Sequence, residues 1–146
     1  MRTKTRQTLC AVAAIVSVLF TSSCSITGVT KGMEISKSAV AKIHDQYNAG
    51  QFRDIYAQAD DEFRKATSEN DYLAFVEAVH RKLGTVKQSD QTSWHVNATT
   101  FGTIVTLTYN VEFNEGKGTE QFVFRVSDEK AQLINYNVDS RLLILK

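Results

Sequence analysis

The chain of 146 residues has no proline, two cysteines and seven glycines. Glycines that few, without a Gly-X-Y period, exclude a collagen-like rod, and two cysteines exclude a disulfide scaffold. An excess of charge of one sign is also missing. Lys and Arg number 17 against 16 Asp and Glu, a formal net of +1, so the electrostatic footprint of a nucleic-acid binder is absent. No apolar run is long enough to span a membrane: Leu9–Phe20, broken by Ser17, rises about 18 Å as a helix against a hydrocarbon core of ~30 Å. The length allows one domain.

What is present begins with an export segment. Arg2, Lys4 and Arg6 precede the apolar stretch, no acidic residue occurs before Glu34, and small residues follow. A basic start, a short apolar stretch and small residues read as a secretory signal peptide over residues 1–23. Thr21-Ser22-Ser23-Cys24 resembles the lipobox of bacterial lipoproteins, although that family usually has Leu where this chain has Thr21. The resemblance implies lipidation at Cys24: a diacylglyceryl thioether, cleavage before Cys24 and acylation of the new amine. Ordinary signal-peptidase cleavage after Ser23 is the alternative, leaving a soluble periplasmic or secreted protein. Cys10 leaves with the signal, so the mature chain has one cysteine and no internal disulfide. Two or three acyl chains hold a protein to a bilayer essentially permanently, whereas one binds marginally. Ser25 after the cysteine resembles the outer-membrane sorting pattern. Residues 24–33 are read as the lipidated N-terminus and a tether, with flexible residues 25–33 spanning roughly 15–18 Å. Loss of the three basic residues leaves 14 basic against 16 acidic, a net of −2. Anionic lipid therefore attracts nothing beyond the anchor.

Residues 34–146 divide by hydrophobic period. Ile35, Ala39, Ile43 and Tyr47, with Val40, predict one helix face ending at Gly50. Phe52, Ile55, Tyr56, Ala59 and Phe63 predict a second helix, with a potential break where Asp60, Asp61 and Glu62 repel. Ser68 and Asp71 resemble a capping box for a third, in which Tyr72, Phe75, Val76, Val79 and Leu83 form the stripe and Gly84 the stop. The period then falls to two: Trp94, Val96 and Ala98; Val105 through Phe113; Phe122, Phe124 and Val126; Ile134, Tyr136 and Val138. Short connections at 114–118 and 127–130 make the strands antiparallel, and Leu142–Leu145 end as an apolar tail. The expected fold is α+β, three N-terminal helices packed on one face of a curved four-stranded antiparallel sheet.

This order resembles the cone-shaped fold of the nuclear transport factor two-like (cystatin-like) superfamily. Over residues 39–142 the chain is similar to a family of uncharacterised bacterial envelope domains, often lipoproteins, known only as a domain of unknown function. The matching stretches are Tyr47-Asn48-Ala49-Gly50-Gln51-Phe52, Arg81-Lys82-Leu83-Gly84, Phe113-Asn114-Glu115-Gly116-Lys117-Gly118-Thr119-Glu120 and Leu133-Ile134-Asn135-Tyr136-Asn137-Val138. The resemblance implies a cone fold and an envelope location, and no assigned chemistry.

Candidate chemistry is sparse. His44, His80 and His95 form no metal-spaced cluster, no Gly-x-Ser-x-Gly occurs, and no glycine-rich loop precedes a helix. His44 is expected at the edge of its helix stripe, capped by Asp45 or solvent, and His95 toward water. Cone-fold relatives include isomerases and dehydratases that bury a carboxylate or histidine, but the strand alternation is read as leaving every carboxylate outside. The polar tips available to a pocket are Tyr47, Tyr72, Tyr109 and Tyr136, the Trp94 indole and His80, a set suited to an amphipathic molecule or to filling a core. The leading expectation is a membrane-anchored, non-catalytic envelope lipoprotein that binds a protein or small amphipathic ligand, without cofactor or metal. An isomerase- or hydrolase-type enzyme using His80 and the tyrosines is the alternative. Another is an accessory module of an envelope or secretion complex. Thr106, Thr108, Asn110, Glu112, Val123 and Arg125, on the bare sheet face, are the expected interaction surface.

Overall fold

A computed structural model describes residues 24–100 and 102–145; residues 1–23, read above as a signal peptide, lie outside them. Helix α1 (Cys24–Asn48) leads into α2 (Phe52–Gln58), α3 (Asp61–Ala66) and α4 (Glu69–Leu83). Strands β1 (Val86–Thr99), β2 (Gly102–Phe113), β3 (Lys117–Ser127) and β4 (Lys130–Asp139) follow, then the short α5 (Arg141–Ile144). The strands pair in chain order, every neighbour antiparallel, in an open meander. The architecture is α+β, as the change of period requires. No helix among the described residues is long and apolar enough to cross a membrane.

Several elements depart from the sequence reading. Residues 25–33, expected as a tether, are the first turns of α1. The buried row of that helix is Gly32, Ser36, Val40 and His44, four residues apart, flanking the more hydrophobic Ile35, Ala39 and Ile43. The reason is proximity. A Cβ on Gly32 would touch Thr103 and Val105 of β2, and Ser36 returns its hydroxyl to the Gly32 carbonyl at 2.8 Å, so small residues let the helix lie close to the sheet.

The second expected helix is two, and carboxylate repulsion is not the main cause. Asp60 is the N-cap of α3, accepting from Glu62 N at 2.9 Å, and is buried. Its carboxylate also receives Arg125 at 2.6 Å. Helix α4 has the Ser68 cap and the Gly84 stop, at φ +75°. Its buried stripe includes Leu73, while Phe75 is 44% exposed. In β4 an irregularity opposite Val123 and Phe124 inserts Ile134 and puts Leu133 inside in its place. The core gathers Val40, Ile55, Val76, Val79 and Leu83 from the helices against Val105, Leu107, Val111, Phe113, Phe122 and Phe124 from the sheet.

Candidate functional site

The strand alternation does place a carboxylate inside. Glu120 is 2% exposed, in phase with Phe122 and Phe124 on β3. Its Oε2 lies 2.7 Å from His44 Nε2 on α1, and its Oε1 accepts the Tyr136 hydroxyl at 2.5 Å from β4. Three elements thus meet on one buried side chain, and each carboxylate oxygen has a partner. His44 is correspondingly buried rather than capped by Asp45 or solvent, edge-on to Phe122 at 5.6 Å and to Tyr109 at 6.4 Å. An ionisable pair withdrawn from water survives only with its hydrogen bonds complete. Here they are.

Burial and the Glu120 charge together hold the Tyr136 phenol well above its ordinary range. Tyr47 is raised by burial first and by Glu120 second, and its hydroxyl donates to the Gly84 carbonyl at 3.0 Å. Tyr72 is raised by burial alone, and Tyr109 by burial and then Glu34. All four are neutral phenols near neutrality, and Tyr47 and Tyr136 donate hydrogen bonds.

The space around this network is small. Ile43, His44, Tyr47, Ile55, Tyr72, Val76, Glu120, Leu133 and Tyr136 enclose a cavity of about 10 Å³, enough for one water at most. Beside it, between α3, α4 and β4, a recess of about 310 Å³ opens to the surface. Phe63, Tyr72, Phe75 and Tyr136 supply its aromatic wall and Thr67, Asn135 and Asn137 its polar groups. Phe75 meets Tyr136 edge-on at 6.3 Å. Tyr136 therefore borders both the buried carboxylate and the recess.

The other anticipated pocket residues are distributed differently. Trp94 lies across from Leu107, but on an edge strand, and is 53% exposed; it lines neither the cavity nor the recess that the tyrosines border. His80 does not join a carboxylate. It packs on Tyr47 at 5.0 Å and Phe52 at 5.5 Å, and its Nε2 is buried without a hydrogen-bond partner. Tyr109 is core. On the bare sheet face Asn110 and Glu112 are exposed, but Arg125 is engaged by Asp60 and Glu62, each at 2.6 Å. At the end of that face toward the β2–β3 turn, a groove of about 560 Å³ carries Asp90, Glu112 and Asp139 with Lys117 and Arg141, a mixture without a dominant sign. No group of three His, Cys, Asp or Glu among the described residues is placed to hold a metal.

The sequence contained the signal for Glu120, since 120, 122 and 124 share a parity. Ranking it by polarity hid it. His44 follows Val40 by four residues and precedes Tyr47 by three, the spacing of one helical face.

The chain matches, over residues 40–135, the family described as a protein of unknown function (DUF3887). That span is more than half of the chain, and the protein belongs to this family. No curated protein matches the chain.

Proposed function

We propose that this protein is an envelope lipoprotein, held by acyl chains on Cys24, whose domain binds a small amphipathic ligand in the Phe75–Tyr136 recess and transforms no substrate. The single observation that carries the binding reading is the contrast between two spaces. The interior beside Glu120 offers about 10 Å³, whereas the recess offers about 310 Å³ with an exposed aromatic ring in its wall. Small-molecule sites are mostly apolar recesses of at least ~300 Å³ with a few convergent polar groups. The recess has that size and lining.

The anchor rests on the sequence: a signal segment, small residues before Cys24, and no other cysteine in the mature chain. Helical turns from Cys24 to Gly32 support it sterically. Eight residues at roughly 1.5 Å each separate Cys24 from Gly32 by about 12 Å along the helix, so an anchored domain stands close to the bilayer.

The acid–base reading has one observation in its favour, the convergence of His44, Glu120 and Tyr136. The cavity beside them admits no substrate, and the raised phenol is a donor rather than a base at neutral pH. Binding is the better account.

Two measurements test the proposal. Cys24→Ala should shift the protein from the membrane fraction to the soluble periplasmic extract, and intact mass of the parent should show acyl groups; retention in the membrane rejects the anchor. Native mass spectrometry of the extracted parent should show a small amphipathic adduct that Phe75→Asp abolishes. A parent free of any adduct rejects the ligand.

A further inference from the structure

The two edges of the sheet are built differently. At β4 the Asp60 N–H donates to the outward Leu133 carbonyl at 2.9 Å. At β1 the first residue is covered as well, since the Asn48 amide bonds the Val86 N–H at 2.8 Å and its carbonyl at 3.0 Å. Farther along β1 the chain emerges: Thr92, Ser93, Trp94, His95, Asn97 and Ala98 are exposed.

The ladder determines which main-chain groups point outward. The Phe113 N–H donates to Gly116 in the β2–β3 hairpin, so odd-numbered residues of β2 turn toward β3 and even-numbered ones toward β1. Thr108, whose carbonyl accepts from Thr92 Oγ1 at 3.2 Å, obeys this rule. Ser93, His95 and Asn97 oppose Thr108, Thr106 and Ile104, and their main-chain groups face β2. Those of Trp94, Val96 and Ala98 face away from the sheet.

Such an edge is ordinarily guarded by charge or proline. Residues 91–99, Gln-Thr-Ser-Trp-His-Val-Asn-Ala-Thr, contain neither, and their register with β2 is regular from Ser93 to Thr99. Within that regular span their character also reads alike in both directions from His95: Trp94 against Val96 and Ser93 against Asn97.

We propose that β1 is a homodimerisation edge, two copies pairing antiparallel about a two-fold axis at His95. Each Trp94 then lies opposite the partner's Val96, and the two exchange main-chain hydrogen bonds. An aromatic ring beside a β-branched side chain is a favourable cross-strand pair. Because Trp94 opposes Leu107 and Val96 opposes Val105 within the chain, the buried rows of both sheets join across the axis. The regular span Ser93–Asn97 and its flanks out to Gln91 and Thr99 carry no Lys, Arg, Asp or Glu, so no like charges meet. A two-fold pairing closes on itself and leaves β4, covered at Leu133, as the outer edge. The inference is independent of the anchor and of the recess.

The test uses the full chain in mild detergent. Sedimentation equilibrium should give the protein mass of a dimer, and Val96→Lys should raise the dimer dissociation constant by at least about tenfold with an unchanged circular dichroism spectrum. On the axis, His95 residues form a non-hydrogen-bonded pair with Cα atoms about 4.5 Å apart, within disulfide reach. His95→Cys should therefore crosslink on mild oxidation above the level of the unsubstituted chain, and Thr106→Cys, one strand inward, should not. A monomeric unsubstituted chain, a dimer indifferent to Val96→Lys, or equal crosslinking from Thr106→Cys overturns the proposal.

Discussion

A carboxylate inside an apolar core is tolerated only while its oxygens keep their donors. Glu120 has His44 on one oxygen and Tyr136 on the other, so removing it strands two buried polar groups at once. Glu120→Ala should lower stability by about 3–5 kcal/mol, read as a shift in the urea midpoint. Tyr136→Phe, which removes one donor, should cost about 1–3 kcal/mol. If Glu120→Ala costs under about 1 kcal/mol, the network is not a structural clasp. The parity of 120, 122 and 124 made this residue legible beforehand. Its partners were not, because the meeting of α1, β3 and β4 is a property of packing.

At the scale of elements, the α2–α3 junction shows how one side chain serves two purposes. Asp60 caps α3 and receives Arg125 from β3, while its N–H seals β4 at Leu133. Asp60→Ala should cost about 1–2 kcal/mol through the lost cap and speed amide exchange in α3 more than in α4. Equal exchange in the two helices would contradict this. The acidic cluster announced a break here, but Arg125 lies more than sixty residues away in sequence, and no local pattern reveals that partner. The inserted Ile134 in β4 is likewise invisible in the alternation, since a bulge shifts the phase at a place decided by the neighbouring strand.

For the whole molecule, the buried tyrosines govern behaviour in alkali. Tyr47, Tyr72 and Tyr136 all have folded-state pKa values raised by burial, while an unfolded tyrosine ionises near about 10. Above that pH the unfolded chain binds fewer protons than the folded one, so stability falls as pH rises, by about 1.4 kcal/mol per pH unit for each such group. Below it these groups contribute no pH dependence. Tyr72→Phe should make the decline between about pH 10 and 12 shallower by about one proton, measured by urea titration at several pH values. An unchanged slope would place Tyr72 in contact with solvent.

The order of elements, the antiparallel meander and the apolar row of each strand follow from the sequence alone, because a period of 3.6 or 2 is imposed by local backbone geometry. The helix ends at Gly50 and Gly84 follow too, since both need positive φ. The tertiary structure decided the rest. It brought His44, Glu120 and Tyr136 together, closed the space beside them, turned the expected tether into the start of α1 through the fit of Gly32 on β2, and left Trp94 on an open edge. Those outcomes depend on which distant surfaces meet, and burial, unlike periodicity, is a property of the assembled fold.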